Sequence, residues 1–159
     1  YRDEILLPNG KKGVREVIRH PGAVCVLPIN ENGNVIFVNQ FRYAFNKVTL
    51  EAPAGKLDEG ELPLDAAKRE LREETGLSAK KIVYMGEMYT TPALIDEIIH
   101  LYLATDLVAG EQDLDEDEFI NVIEMPLNEA EEMVMKGLIK DSKTQTLILK
   151  ASRYLNNRK

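Results

Sequence analysis

The segment from Gly55 to Leu77 restricts the possible folds of this chain more than any other feature of the sequence. A glycine-bounded loop leads into a stretch that opens with Pro63, and proline is tolerated in the first turn of a helix. Acidic residues and two alanines follow, and Gly76 is a typical C-terminal stop signal. The segment therefore predicts a loop followed by a helix over Leu62–Thr75.

Three carboxylates on this helix suggest chemistry. Glu70 lies three and four residues before Glu73 and Glu74, so all three side chains can share one helix face. Such close carboxylates repel one another unless a cation or an arginine compensates them. Arg69 lies four residues before Glu73 and can pair with it and orient it. The other carboxylates are hard oxygen ligands that suit Mg²⁺ or Mn²⁺. A solvated helix face with Glu–Arg pairs is the usual explanation for an isolated stretch of this kind.

The rest of the chain indicates a mixture of strands and helices. Two apolar runs rich in β-branched residues, Gly22–Ile29 and Val35–Val38, flank a turn cluster and predict a β-hairpin. A second tight turn is predicted at Pro8–Lys11. Further strands are expected near Ile82–Met88 and Ile98–Ala104, and a short apolar run, Phe119–Ile123, follows the acidic loop. Two helices are expected to close the chain, one beginning at Asn128 with Glu131 as its capping-box partner and one over Thr144–Leu155.

Length and charge limit the classes of function. The 159 residues predict one domain, 1–159, in which about the first 20 residues form an N-terminal strand segment. The 27 acidic and 20 basic residues give a net charge of −7, which disfavours nucleic acid and basic membrane-surface binding. The lone Cys25 excludes an intramolecular disulfide, and we expect a buried, inert thiol and a cytoplasmic location. We find no membrane span or secretory signal, and because Tyr1 is not a start methionine, we expect a short N-terminal piece to be missing.

The whole segment from Gly55 to Leu77 resembles the Nudix box, Gly-x5-Glu-x7-Arg-Glu-(aliphatic)-x-Glu-Glu-x-Gly-(aliphatic), at all nine specified positions. Resemblance to the Nudix hydrolases implies an α/β fold, an α/β/α sandwich around a mixed β-sheet with a catalytic loop–helix, here with an N-terminal β segment. It also implies hydrolysis of a nucleoside diphosphate linked to another group. By the same resemblance, the metal ligands would be Glu70, Glu74 and the backbone carbonyl of Ala54. Glu73 would assist as a ligand or base, and Arg69 would orient it.

Segments outside the box are similar to the ADP-ribose pyrophosphatase subgroup: His20–Val24, Gln40–Tyr43, Leu50–Gly55 and Thr91–Glu97. The chain has Thr91-Pro92-Ala93 where that subgroup usually has Ser-Pro-Gly. The acidic run Glu111–Glu118 would ordinarily be a solvated loop. Its end resembles a mobile loop of the subgroup, which implies Glu116 as general base and Glu118 as a further metal ligand. A shift of one residue would assign Asp115 or Asp117 instead.

Two arginines and one glutamate are the candidates for substrate binding. Arg15 and Arg42 can offer guanidinium forks to a diphosphate, although each could equally form a surface salt bridge. Glu97 can accept a hydrogen bond from a ribose hydroxyl, and Asp96 is the weaker candidate for this role. We expect His20 and His100 to be structural rather than metal ligands.

The resemblance therefore predicts an Mg²⁺-dependent ADP-ribose pyrophosphatase that yields AMP and ribose 5-phosphate. Mn²⁺ is a possible substitute, and two or three ions per site are expected. The alternatives are another nucleoside-diphosphate sugar, a dinucleoside polyphosphate, or a non-catalytic Nudix ligand sensor. A homodimer with contacts through the N-terminal segment also follows from the resemblance. The predicted partner is thus a small nucleoside diphosphate, with no nucleic acid and no membrane.

Overall fold

The computed structural model describes residues 1–114 and 120–157. The strands are β1 (Arg2–Leu6), β2 (Lys12–Glu16), β3 (Ala23–Pro28), β4 (Asn34–Arg42), β5 (Lys47–Glu51), β6 (Ala54–Lys56), β7 (Leu77–Tyr89), β8 (Ile98–Ala109) and β9 (Asn121–Pro126). The helices are α1 (Pro63–Thr75), α2 (Leu127–Met135) and α3 (Ser142–Asn156), and a short 3₁₀ helix spans Tyr43–Phe45.

Strand β3 lies at the centre of the fold. Its sheet has the order β6-β3-β8-β7, in which β3 and β8 are parallel and the other pairs are antiparallel. Alternate side chains of β3 point to opposite faces. Val24 and Val26 pack with α1, whereas Cys25 and Leu27 pack with α2 and α3. The six residues of β3 are therefore all buried, and helices cover both faces of a mixed sheet, which confirms the predicted α/β class.

The predicted β-hairpin between Gly22–Ile29 and Val35–Val38 is wrong. The turn exists, but β4 belongs to a second, antiparallel sheet of order β5-β4-β9. A bridge from Ile29 to Val35 joins the two runs at the turn. Strand β3 pairs with β6 and β8, and β4 pairs with β5 and β9, so both edges of each strand are occupied by strands other than its predicted hairpin partner.

The N-terminal turn is confirmed. Strands β1 and β2 pair as an antiparallel hairpin around Asn9 and Gly10, and Gly10 has a φ of 80°, which glycine adopts without strain. The hairpin joins the rest of the protein through its C-terminal end, where the Ile18 amide bonds to the carbonyl of Leu94. Much of its surface is exposed, including Leu6 and Val14.

The helix predictions differ from the structure mainly at the helix starts. Helix α1 ends at Gly76, which has a φ of 70° and donates its N–H to the carbonyl of Arg72. The capping box predicted at Asn128 is wrong, because the chain enters α2 directly after the extended Pro126 and Asn128 already lies in the first turn. Helix α3 begins at Ser142, two residues earlier than predicted, because the Asp141 side chain caps it.

Strands β7 and β8 extend beyond the predicted runs to 13 and 12 residues. Their long antiparallel pairing forms one side of the central sheet. Across the described residues, no helix combines the length and apolar character that crossing a bilayer requires.

Candidate functional site

A cleft of about 670 Å³ opens beside the N-terminal end of β3. Helix α1 and the adjoining β6 form one wall, on which the carboxylates of the box lie. The facing wall is assembled from distant parts of the chain, namely β4, the segment around Thr90 and Glu97, and the first turn of α3. We call these the α1 wall and the facing wall.

On the α1 wall, the helix places its three predicted carboxylates at different depths. Glu70 and Glu73 line the cleft, whereas Glu74 is only 2% exposed. The Glu74 Oε2 atom accepts a hydrogen bond of 3.1 Å from the backbone N–H of Ala54. Ala54 itself lines the cleft. The structure thus brings the four predicted positions together, with Glu74 tying the helix to the segment that carries Ala54.

Gly55 is required by close packing against Glu70. A Cβ atom at position 55 would lie 1.9 Å from Glu70 Oε1 and 2.1 Å from its carboxyl carbon. Real Cβ atoms do not approach other heavy atoms this closely, so any side chain here would displace the Glu70 carboxylate. Gly55 lies within β6 and has no positive φ, so the space that it leaves for Glu70 accounts for the glycine at this position.

Arg69 holds a larger set of acids than Glu73 alone. Its Nη1 atom donates to Glu70 Oε1 at 2.7 Å and to Glu73 Oε2 at 3.0 Å. Its Nε and Nη2 atoms form a fork with both oxygens of Glu61, each at 2.9 Å. Hydrogen bonds from Arg69, and secondarily from the backbone of Asp58, lower the pKa of Glu61 to about 2. Arg69 is thereby fixed from one side by Glu61 and orients the two cleft carboxylates with its other side.

Arg42, a predicted substrate-binding residue, lines the cleft on the facing wall, where its guanidinium is paired with Glu51. The Nε and Nη2 atoms donate to the two oxygens of Glu51 at 2.8 and 2.7 Å. Burial raises the pKa of Glu51, but hydrogen bonds from Arg42 and the charge of Lys143 outweigh it and lower that pKa to about 2. A planar fork held in this way presents its remaining N–H groups in a defined direction.

Glu97 also lines the cleft. Its carboxylate accepts a hydrogen bond from Thr90 Oγ1 at 2.7 Å, and His20 Nε2 lies 3.4 Å away. The Gly22 N–H donates to His20 Nδ1 at 3.2 Å, so the proton of a neutral His20 is assigned to Nε2, facing Glu97. Asp96, the weaker candidate, instead pairs with Arg19 at 2.8 Å and accepts the backbone N–H of His20.

Arg15 lies away from the cleft within the described part of the chain. It is exposed on β2, and its Nη1 atom donates to the carbonyl of Val14 at 3.0 Å. The two acidic-loop predictions, Glu116 as base and Glu118 as metal ligand, fall outside the described residues. The start of that loop is described, and it bonds back to α1 through Asp113 N–H and the Glu73 carbonyl at 3.1 Å.

Comparison with known families matches residues 19–145 to the NUDIX domain. The chain belongs to the Nudix family. The family resemblance of the box is thereby confirmed, and the protein is classed with the Nudix hydrolases. Enzymes of this family generally use divalent metal ions.

Several curated proteins are similar over most of this Nudix chain. An ADP-ribose pyrophosphatase of Bacillus subtilis (strain 168) is 45% identical over 91% of this chain and 79% of its own length. A methanol dehydrogenase activator of Bacillus methanolicus is 44% identical over 89% and 78%. A GDP-mannose pyrophosphatase of Yersinia enterocolitica is 35% identical over 93% and 83%.

The fold of the Nudix chain has a close counterpart among solved structures. The crystal structure of an ADP compounds hydrolase aligns with a TM-score of 0.85, covering 98% of this chain and 84% of the other. The sequence identity is 20%, so this likeness bears on the fold alone. It supports the predicted Nudix-type arrangement of a mixed sheet between helices.

The donor atoms on the α1 wall suit a divalent metal ion. Among the described residues, no three side chains of His, Cys, Asp or Glu converge as a ready-made metal cage. Two of the helix carboxylates, Glu70 and Glu73, are instead bound by Arg69. Carboxylate and carbonyl oxygens are nevertheless the ligands that Mg²⁺ and Mn²⁺ prefer. The chemistry of Glu70, Glu74 and the Ala54 carbonyl therefore fits such an ion.

Sequence reasoning did not assign a role to several side chains of this site. Glu61 is the first glutamate that the box specifies, and its presence in the box together with Arg69 could have indicated that the two side chains pair. Lys143 and Asp141 line the facing wall. Asp141 is a typical N-cap residue, which could have indicated the start of α3, but no local signal indicates that this helix start lies in the cleft. His20 was expected to be structural, and its contacts with Gly22 and Glu97 are compatible with that role.

Proposed function

We propose that this Nudix protein hydrolyses the diphosphate bond of ADP-ribose to AMP and ribose 5-phosphate. The observation that carries the proposal is the cleft itself, in which a carboxylate helix faces Arg42 and Glu97 across a space of about 670 Å³. The 45% identical relative named as an ADP-ribose pyrophosphatase supports the choice of substrate.

The α1 wall would serve the metal. Glu70, Glu74 and the Ala54 carbonyl are the proposed ligands, with Mg²⁺ as the preferred ion, Mn²⁺ as a substitute and two or three ions per site. A bound divalent ion supplies charge neutralisation for the diphosphate and lowers the pKa of the attacking water. Arg69 orients Glu70 and Glu73, since each accepts a hydrogen bond from its Nη1 atom.

The facing wall would hold the substrate. Arg42 directs the guanidinium N–H groups that do not bond to Glu51 at the diphosphate oxygens, and Glu97 accepts a hydrogen bond from a ribose hydroxyl. The water oxygen bonds to phosphorus as the bridging P–O bond breaks, and the leaving phosphate oxygen takes up the negative charge. Glu73 is proposed to assist as a metal ligand or base, and Glu116 is proposed as the base that removes the proton from water. Positioning and electrostatic stabilisation then account for the acceleration without a covalent intermediate.

The proposed substrate has one specific competitor. GDP-mannose contains the same diphosphate, and a 35% identical relative is named as a GDP-mannose pyrophosphatase. A substrate panel decides between them: kcat/KM is measured with Mg²⁺ for ADP-ribose, GDP-mannose and a dinucleoside polyphosphate. We expect ADP-ribose to have the highest value. Faster turnover of GDP-mannose would reject the substrate, and no turnover of any member would favour a ligand sensor.

We also propose a single cytoplasmic Nudix domain that acts as a homodimer through the β1–β2 hairpin. The hairpin exposes Tyr1, Leu6 and Val14 at 80%, 75% and 47%. Arg15 lies on the same hairpin, so a role for it in substrate binding requires that the hairpin of one copy reaches the cleft of another. Light scattering coupled to size-exclusion chromatography measures the mass. A monomer at micromolar concentration would reject this assembly.

A further inference from the structure

The first turn of α3 contacts the cleft from the facing wall, although it lies far along the chain from the other elements of that wall. Lys143 is 9% exposed and Thr144 is fully buried, which is unusual for two polar residues in a helical first turn. The Lys143 side chain bonds to the Glu51 carboxylate, and the Thr144 hydroxyl bonds to the backbone N–H of Ala52. Each partner lies 92 positions earlier in the sequence. These contacts lie beside two elements of the proposed chemistry, Arg42 and the segment that ends at Ala54.

Lys143 shares Glu51 with Arg42. Its Nζ atom bonds to Glu51 Oε2 and forms an ion pair of 3.0 Å with Asp141. Glu51 also accepts the Arg42 fork and a hydrogen bond of 2.6 Å from Thr49 Oγ1. Two cations and two carboxylates thus alternate along the wall. Without Lys143, Glu51 would lose one of its two cationic partners, and the carboxylate that holds the Arg42 fork would be free to shift.

Thr144 fixes the backbone next to the proposed metal ligand. Its hydroxyl accepts the N–H of Ala52 at 2.8 Å and donates to Asp141 Oδ2 at 2.6 Å. Two residues later, the N–H of Ala54 donates to Glu74. The short segment Ala52–Ala54 is therefore tied to α3 at one end and to α1 at the other, so the position of the Ala54 carbonyl depends on both helices.

We propose that Lys143 and Thr144 are positioning residues of the cleft, Lys143 for Arg42 and Thr144 for the backbone that carries the Ala54 carbonyl. This inference rests on the proposed function, in which Arg42 binds the diphosphate and Ala54 contributes to the metal site. Neither residue needs to contact substrate or metal. The two act on different halves of the site, so their replacement should produce different kinetic signatures.

For Lys143, the test is the separation of KM from kcat. Lys143→Met should raise the KM for ADP-ribose about 10-fold with kcat changed less than about threefold, because the lost interaction orients a substrate-binding group. Lys150→Met is the matched control. Lys150 lies on the same helix and donates to the Met85 carbonyl at 2.7 Å, away from the cleft, and both constants should stay at the wild-type values.

For Thr144, the test compares Val with Ser and needs no turnover. Thr144→Val keeps the shape but removes the acceptor for the Ala52 N–H, whereas Thr144→Ser retains a hydroxyl. Binding of Mn²⁺, measured by electron paramagnetic resonance without substrate, should weaken about three- to tenfold in the valine variant and recover in the serine variant. Thr146→Val is the control, because the Thr146 hydroxyl donates to the Ser142 carbonyl on the same helix.

The outcomes separate this inference from the proposed function. If wild-type protein does not hydrolyse ADP-ribose, the proposed substrate is wrong. If wild-type protein is active but Lys143→Met lowers the melting temperature without raising the KM for ADP-ribose, the positioning role of Lys143 is wrong. If Mn²⁺ binds equally to both Thr144 variants, the positioning role of Thr144 is wrong. Should Lys143→Met fail to fold, Lys143→Gln, which keeps a hydrogen-bond donor without the charge, replaces it in the kinetic test with the same expected rise in KM. The Thr144 pair decides the Thr144 half of the proposal independently.

Discussion

On the α1 wall, a single guanidinium from Arg69 bonds to three carboxylates, those of Glu61, Glu70 and Glu73. On the facing wall, Arg42 and Lys143 alternate with Glu51 and Asp141, so that two cations balance two anions. The first cluster retains an excess of negative charge and suits a cation. The second is neutral within itself and can direct an arginine toward an anion. Under the proposed function, this contrast would allow an acidic protein to bind a diphosphate, with a metal ion held between the negative wall and the substrate.

The largest effect is expected from the carboxylates of the α1 wall. Glu70→Gln or Glu74→Gln should lower kcat/KM by about 1,000-fold, because each removes a charged oxygen proposed to bind the metal. Glu129→Gln, on the exposed side of α2, is the control and should be fully active. Steady-state kinetics with ADP-ribose measure the activity, and thermal melting checks that each variant remains folded. Near-normal activity in both variants would reject the metal assignment.

Gly55→Ala tests whether the geometry of that wall matters as much as its charge. The added methyl group would overlap the Glu70 carboxylate, so we expect kcat/KM to fall about 100-fold. Gly10→Ala is the matched control, since it adds the same methyl group at a position where no atom lies within 4 Å of the new Cβ, in the distant hairpin turn. It should cost about 1 kcal/mol of stability and no activity. Equal activity of the two variants would contradict the packing argument.

The buried charges of the facing wall predict how stability depends on pH. The pKa of Glu51 is lowered from 4.5 to about 2, so its contribution is fully present above pH 4.5 and is lost as the pH falls toward 2. The shift corresponds to a contribution on the order of 3 kcal/mol. Urea denaturation between pH 3 and pH 7 measures the free energy of unfolding. Glu51→Gln should be less stable at pH 7 and lose less on acidification; an unchanged pH dependence would contradict the assignment.

Glu97 and its neighbour Asp96 provide the smallest expected effects on the facing wall. Glu97→Gln should raise the KM for ADP-ribose about 10-fold, because a carboxylate is proposed to accept the ribose hydroxyl in the cleft. Asp96→Asn should change KM less than about twofold, since Asp96 forms an exposed pair with Arg19. The KM values of the two variants, measured side by side, test which of the two acids has the larger effect. If Asp96→Asn has the larger effect, the ribose contact is assigned to the wrong acid.

The two walls also differ in how far they could be predicted from the sequence. The α1 wall depends on spacing within one helix, so positions 69, 70, 73 and 74 were assigned from local pattern and family resemblance, and the structure brings them together with Ala54. The facing wall depends on contacts between residues that are far apart in the chain. Lys143 and Glu51 are separated by 92 residues, and no local pattern connects them.

The predicted hairpin around Asn30–Asn34 was wrong for a related reason. Its turn residues and flanking apolar runs were interpreted correctly, but they carry no information about which strands occupy the neighbouring positions. Strand β3 pairs with β8, about 75 residues later, because parallel pairing with a distant strand is decided by the packing of whole layers. Sequence thus identified these two strands and failed to identify their partners.

Hydrolysis of ADP-ribose in H₂¹⁸O with Mg²⁺ tests the central claim most directly, because it reports activity, substrate and the attacked phosphorus together. Mass spectrometry of the products should find AMP and ribose 5-phosphate, with one ¹⁸O atom in the phosphate of one of them. Omission of Mg²⁺ or replacement of Glu70 by glutamine should abolish that incorporation. No cleavage of ADP-ribose, or cleavage without ¹⁸O in either phosphate, would contradict the account.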